Sequence, residues 1–282
     1  MCYPLLYLGI QIAVSVTYGI GYAFYIGIKI GIERAISGEP VDITADSLSE
    51  MMLSEMNLMI PVILSVVTAI VIIFLILRKE WKREKFWRIS KLKISPMLLC
   101  FIFGAAANIL TICILAIFGV SEEPSVLDDL LGNNIILDFL SVAILAPVLE
   151  EIIFRGIVLN RLNKMTGRNA AIILQALIFG FIHLNLLQGI YAFFLAIFIG
   201  YIYLWFDSVW YAIIVHVAYN GTNLFLLYLL GDSEVDLFYF LIISAAFVII
   251  SMAGMVALAD RKEKEDSKIK INTNDNDDEI YY

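Results

Sequence analysis

The sequence predicts an all-α protein, a polytopic membrane helix bundle of about eight transmembrane helices. Three observations carry that prediction. Hydrophobic residues make up 61% of the 282 positions and charged residues only 16%, against roughly half and a quarter in soluble domains. The apolar residues fall in runs close to the ~20 residues that a spanning helix needs. The charges are segregated: 16 of the 19 Lys and Arg residues lie in three short segments, 78–93, 161–168 and 261–270.

Eight apolar segments follow in order: 4–30, 57–77, 96–119, 135–160, 170–187, 188–206, 208–230 and 236–259. The first begins "MCYPLLYLGI" and lacks the basic region of a cleavable signal, so it is read as a retained helix. The fifth and sixth are parted only by "LNLLQG", which leaves their boundary open. Basic connections alternate with acidic ones, namely 33–55, 121–132 and 231–236. The positive-inside rule then puts the basic connections and both termini in the cytoplasm. Lys29 and Arg34, at the outer end of the first segment, run against this pattern but are outnumbered. Segment 78–93 carries eight basic residues with Trp81, Phe86 and Trp87, the make-up of a loop lying on headgroups.

This organisation divides the chain into four parts. Residues 1–132 hold three helices and the basic loop 78–93. Residues 133–230 hold helices four to seven, residues 231–259 hold the last helix, and residues 260–282 form a charged tail expected to be disordered. Cys2, Cys100 and Cys113 have the spacing of no metal or redox motif.

The chemistry is concentrated in the third quarter of the chain. Ionisable groups are costly in hydrocarbon and mark functional sites there. The two histidines of the chain, His183 and His216, both lie in membrane-grade segments, and a third such segment carries Glu150, Glu151 and Arg155. On a helix, Glu151 and Arg155 are one turn apart and can pair. Glu150 is offset by about 100°, free to face a cavity. Pro147 removes a backbone donor just before the carboxylates and favours a kink. A buried ion pair that only fixes packing accounts for Glu151 and Arg155, but not for Glu150. Phe179 and His183 are four apart, as are His216 and Asn220. At 1.5 Å per residue, Glu150, His183 and His216 lie about 16, 20 and 12 Å from the cytoplasmic ends of their segments, taken as Arg161, Asn169 and Ser208, so all three reach a similar depth.

A glutamate and an imidazole at one cavity can hold and deprotonate water. His216 and the Asn220 amide can donate to an oxyanion. Together these serve water addition to an amide. Two His and one Glu also make a catalytic zinc set, with Glu150, His183 and His216 as the candidate ligands. The sequence leaves zinc-activated and metal-free water as open alternatives, although the paired histidines of many zinc peptidases are absent.

"EEIIFR" (Glu150 to Arg155), "FGFIH" (Phe179 with His183) and "HVAYN" (His216 with Asn220) resemble the three ordered motifs of the CAAX protease and bacteriocin-processing family, also called Abi. The resemblance covers roughly 133–228. It implies a membrane-embedded endopeptidase, labelled a metalloprotease by some and given a metal-free glutamate mechanism by others. In it Glu150 and His183 would activate water, His216 and Asn220 would stabilise the oxyanion, and Glu151, Arg155 and Phe179 would support the site. Members trim prenylated CAAX proteins or act in bacteriocin maturation and immunity. The expected partners are membrane lipids and a membrane-associated or lipidated peptide or protein, with no nucleic acid, and the expected location is the cell membrane. The alternatives are a non-catalytic bacteriocin-immunity or peptide-binding protein of the same fold and, ranked last, a proton-coupled transporter, for which no internal repeat is found.

Overall fold

The computed structural model describes residues 3–37, 60, 63–69, 71, 92–120, 134–183, 185–230 and 236–278. Every regular element among the described residues named below is a helix. These are α1 (Tyr3–Ser37), α2 (Ile94–Ile117), α3 (Ile135–Asp138), the π-helical π1 (Phe139–Leu145), α4 (Ala146–Glu151), π2 (Ile152–Leu159), α5 (Asn160–Thr166), α6 (Arg168–Phe181), α7 (Leu186–Phe206), α8 (Val209–Leu230) and α9 (Leu237–Asp278). Five stretches are long and apolar enough to cross a membrane: Gly9–Ile30, Ile94–Ile117, Leu186–Phe206, Val209–Leu229 and Leu237–Ser267. The chain is an all-α, multi-pass membrane protein. The expected second span, 57–77, is described only at 60, 63–69 and 71, all helical, and the basic loop 78–93 only at Leu92 and Lys93; the rest of both lies outside the described residues.

The chain divides into two compact units, Met1–Lys79 with Glu123–Leu149, and Glu80–Glu122 with Glu150–Tyr282. In the first, α1 is one uninterrupted helix, and Asn134 caps α3 by accepting from the backbone N–H groups of Ile136 and Leu137 at 3.1 and 3.2 Å. The π-helical turn of π1 comes immediately before Pro147. Proline supplies no N–H and its ring crowds the carbonyl one turn back. A wider turn at that point is a local answer to the proline, and such turns recur at functional sites.

In the second unit α2 packs against α8 and α9. The backbone N–H of Lys93 donates to the Tyr211 hydroxyl at 2.9 Å, and one end of the α2–α8 contact is fixed there. Further along, Gly104 lies where a Cβ would collide with the Val215 carbonyl and crowd Ala218. Both contacts ascend together, so α2 and α8 run parallel, the sense that the alternating loop charges require of these two. Gly254 of α9 meets Leu99, and the Cys100 thiol lies 3.7 Å from the Met255 sulfur. Cys100 and Cys113 are buried, as small apolar residues would be.

Two sequence boundaries move. The segment read as 170–187 ends as a helix at Phe181, and α7 opens at Leu186 under an Asn185 cap that accepts from the Gln188 N–H at 2.9 Å. Fourteen residues make α6, about 21 Å by helical rise, short of a ~30 Å hydrocarbon core. The tail beyond Ala259, read as disordered from its charge, continues α9 as far as Asp278. Acid and base one turn apart support it, as in Asp260–Lys264 at 2.7 Å.

Candidate active site

Every residue singled out for chemistry lies in the second unit. Glu150 and Glu151 close α4 just before π2, while Arg155 lies within π2. The two carboxylates part company as their offset predicts. Glu151 is fully buried, whereas the Glu150 side chain keeps 19% of its exposure.

Glu151 is held from two sides. Its Oε2 lies 2.9 Å from Arg155 Nε, an approach governed by charge, since the N–H is not aligned for a hydrogen bond. Its Oε1 lies 2.7 Å from His216 Nδ1. A carboxylate can only accept, so His216 donates its Nδ1–H. The ring is thereby turned so that Nε2 faces Glu150 Oε2, 3.7 Å away. That gap is too long for a direct hydrogen bond.

His183 is held differently. It lies in the turn after α6, where its N–H reaches the Gly180 carbonyl at 3.3 Å. Its Nδ1 donates to the Phe179 carbonyl at 2.7 Å, which leaves Nε2 as an acceptor. The sequence reading placed His183 inside a helix; the Asn185 cap starts the next helix too early for that. The one-turn spacing from Phe179 survives as this side-chain-to-backbone bond. The turn is tight because Gly180 and Gly189 face each other: a Cβ on Gly180 would lie 2.6 Å from the Gly189 carbonyl oxygen. Irregular backbone at membrane depth is tolerated where it lines a polar cavity or is buried in protein.

Phe179 joins the parts. Its ring stands edge-on to Phe154, His183 and His216 at centroid distances of 4.9, 4.8 and 5.9 Å. The Arg155 guanidinium carbon lies 5.2 Å from the same ring centre. Such contacts are worth about 0.5–1.5 kcal/mol each, and here they fix the spacing of both imidazoles. Asn220 follows His216 by one turn of α8 and is partly exposed.

The structure therefore brings together Glu150, Glu151, Arg155, Phe179 and His216, and attaches His183 through Phe179. The expected division of Glu151–Arg155 from His216–Asn220 changes, since Glu151 serves both Arg155 and His216. That contact spans 65 positions, and no local spacing announces it. The Asn185 cap did have a signal, an Asn followed three residues later by Gln. Among the described residues, no group of three or more His, Cys, Asp and Glu side chains could hold a metal ion. Glu150, His183 and His216 do not form such a group.

The fold and site define a multi-pass membrane protein with a carboxylate–imidazole centre among its helices. Residues 132–222 match the family model for type II CAAX prenyl endopeptidases, Rce1-like, which contains all seven residues above. The match supports the CAAX protease and bacteriocin-processing family, a family of peptidases, for this segment. No curated protein and no solved structure matches the chain.

Proposed function

We propose that the protein is an intramembrane endopeptidase that hydrolyses a peptide bond of a membrane-associated or lipidated peptide by water addition. One observation carries the reading. Of two adjacent carboxylates, Glu151 is fully buried and committed to Arg155 and His216, while Glu150 keeps 19% exposure beside the same imidazole. A second carboxylate left reachable at such a place has no structural duty that accounts for it.

In this reading Glu150 takes the proton of the attacking water, with His183 Nε2 as the second acceptor that orients it. The water oxygen adds to the carbonyl carbon, and the carbonyl π electrons move onto oxygen. His216 and Asn220 lie on one face of α8, where their N–H groups can receive that negative charge. For His216 this requires a proton on Nε2 as well as on Nδ1, a charge that Glu151 and the oxyanion itself would balance, Glu150 being neutral once it holds the water's proton. Collapse of the intermediate breaks the C–N bond, and the proton held by Glu150 passes to the leaving amine. Glu151, Arg155 and Phe179 hold the geometry and touch no reacting atom. Loop charge supports a site opening to the cytoplasmic side with both termini inside.

The test compares new N-termini in membranes of cells producing the wild type and Glu150→Gln. Peptides generated only by the wild type support the reading. Cleavage that survives the substitution overturns it. A biological effect without any cleavage would instead indicate the peptide-binding alternative.

A further inference from the structure

Gln175 belongs to none of the three motifs, yet it is fully buried in α6. Its Nε2 lies 3.1 Å from the Ile172 carbonyl and 3.0 Å from the Ala196 carbonyl of α7. Two carbonyl acceptors identify that atom as the amide nitrogen, because the oxygen could donate to neither. The Ala196 oxygen is also the acceptor for Arg155 Nη2 at 3.3 Å. Arg155 then meets Glu151, and Glu151 accepts the hydrogen bond from His216 Nδ1–H. The series crosses α6, α7, π2, α4 and α8. It ends on one ring.

The space for it is made by Gly200. A Cβ there would come within 3.2 Å of an Ile172 methyl and 3.4 Å of Gln175 Nε2. The glycine lets α6 lie close enough to α7 for the amide to reach the carbonyl. The apparent alternative, that Gln175 merely satisfies its own helix, accounts for the bond to Ile172 but not for the one to Ala196. A side chain with this much rotamer freedom is costly to bury. Its placement on the acceptor shared with Arg155 is what needs an account.

We propose that Gln175 is a positioning residue for His216. It anchors the Ala196 carbonyl that receives Arg155, and through Arg155 and Glu151 it fixes the imidazole with Nδ1–H inward and Nε2 toward Glu150. This deepens the peptidase reading and rests on it for its catalytic consequence. Its structural consequence stands apart from catalysis.

The experiment uses the full chain in detergent with 15N-labelled histidine. Only two imidazoles contribute, and His183→Gln assigns them. Gln175→Met keeps the volume and removes the donor. The expected result is a His216 Nδ1–H whose exchange with water quickens at least about tenfold, while the His183 Nδ1–H, held by the Phe179 carbonyl, is unchanged. A shift confined to His216 is not what general loosening of the fold produces. Should Gln175→Met fail to fold, Gly200→Ala crowds the Ile172 methyl beside the amide without deleting the amide and is expected to give the same selective change. An unaltered His216 signal in a folded variant, or equal changes at both histidines, overturns the proposal. Where new N-termini are measured, Gln175→Met is expected to slow their formation by about 10- to 100-fold, as a small misplacement of a reacting group does. Cleavage surviving Glu150→Gln would remove the peptidase reading and leave the exchange result standing.

Discussion

His183 and His216 reach one site by opposite means. His183 lies in a turn, partly exposed, steadied by a single backbone carbonyl one turn away. His216 lies within α8, almost fully buried, and is gripped by a carboxylate that is itself tied to an arginine. The first arrangement depends on local chain geometry, the second on side chains from several helices. A ring that must accept a hydrogen bond from water needs access, and a ring that must present one fixed edge needs restraint. The difference predicts that damage near His183 is tolerated in the fold, whereas damage around His216 spreads.

The largest effect sharpens this division through the carboxylates. Glu150→Gln is expected to lower cleavage by about 100- to 10,000-fold, the range for loss of a general base, with thermal unfolding in detergent unchanged. Next comes Arg155→Met, which leaves Glu151 as a buried charge without its partner. Stability should fall by about 3–5 kcal/mol, seen as a lower unfolding midpoint, and the His216 Nδ1–H should lose its protection. Equal stability to the wild type would break the claim that this side of the site is built on the pair.

The effects on the His183 side are smaller. Gly180→Ala pushes a methyl toward the Gly189 carbonyl oxygen, an overpacking worth about 1–3 kcal/mol. The same midpoint measurement checks it, and His183 should shift while His216 does not. Asn185→Ala removes the cap of α7 at a cost of about 1 kcal/mol, again with the change confined to His183. If either variant disturbed both rings alike, the two regions would not be independent.

The sequence reveals the fold class because hydropathy and loop charge are summed over many residues and survive local errors. Six of the seven residues proposed for the site stand out in the sequence for a related reason: Glu151 with Arg155, Phe179 with His183 and His216 with Asn220 each lie within one turn. The departures all come from effects that such sums do not record. A single cap at Asn185 starts a new helix inside apolar sequence. Pro147 widens a turn without altering hydropathy. The Glu151–His216 bond joins distant segments, and Gln175 acts through a backbone carbonyl that leaves no mark in the sequence. The charged tail reads as disordered by composition, yet continues α9, with Asp260 and Lys264 paired one turn apart at its start.

The central claim is that two adjacent glutamates have separate duties, one meeting water and the other holding His216. Its most direct measurement is the rate at which new membrane-peptide N-termini form in matched cells producing wild type, Glu150→Gln and Glu151→Gln. The account predicts a rate lowered about 100- to 10,000-fold with Glu150→Gln and a smaller loss with Glu151→Gln, alongside loss of His216 Nδ1–H protection in Glu151→Gln alone. Full cleavage with Glu150→Gln, or the same His216 signal in both variants, would contradict it.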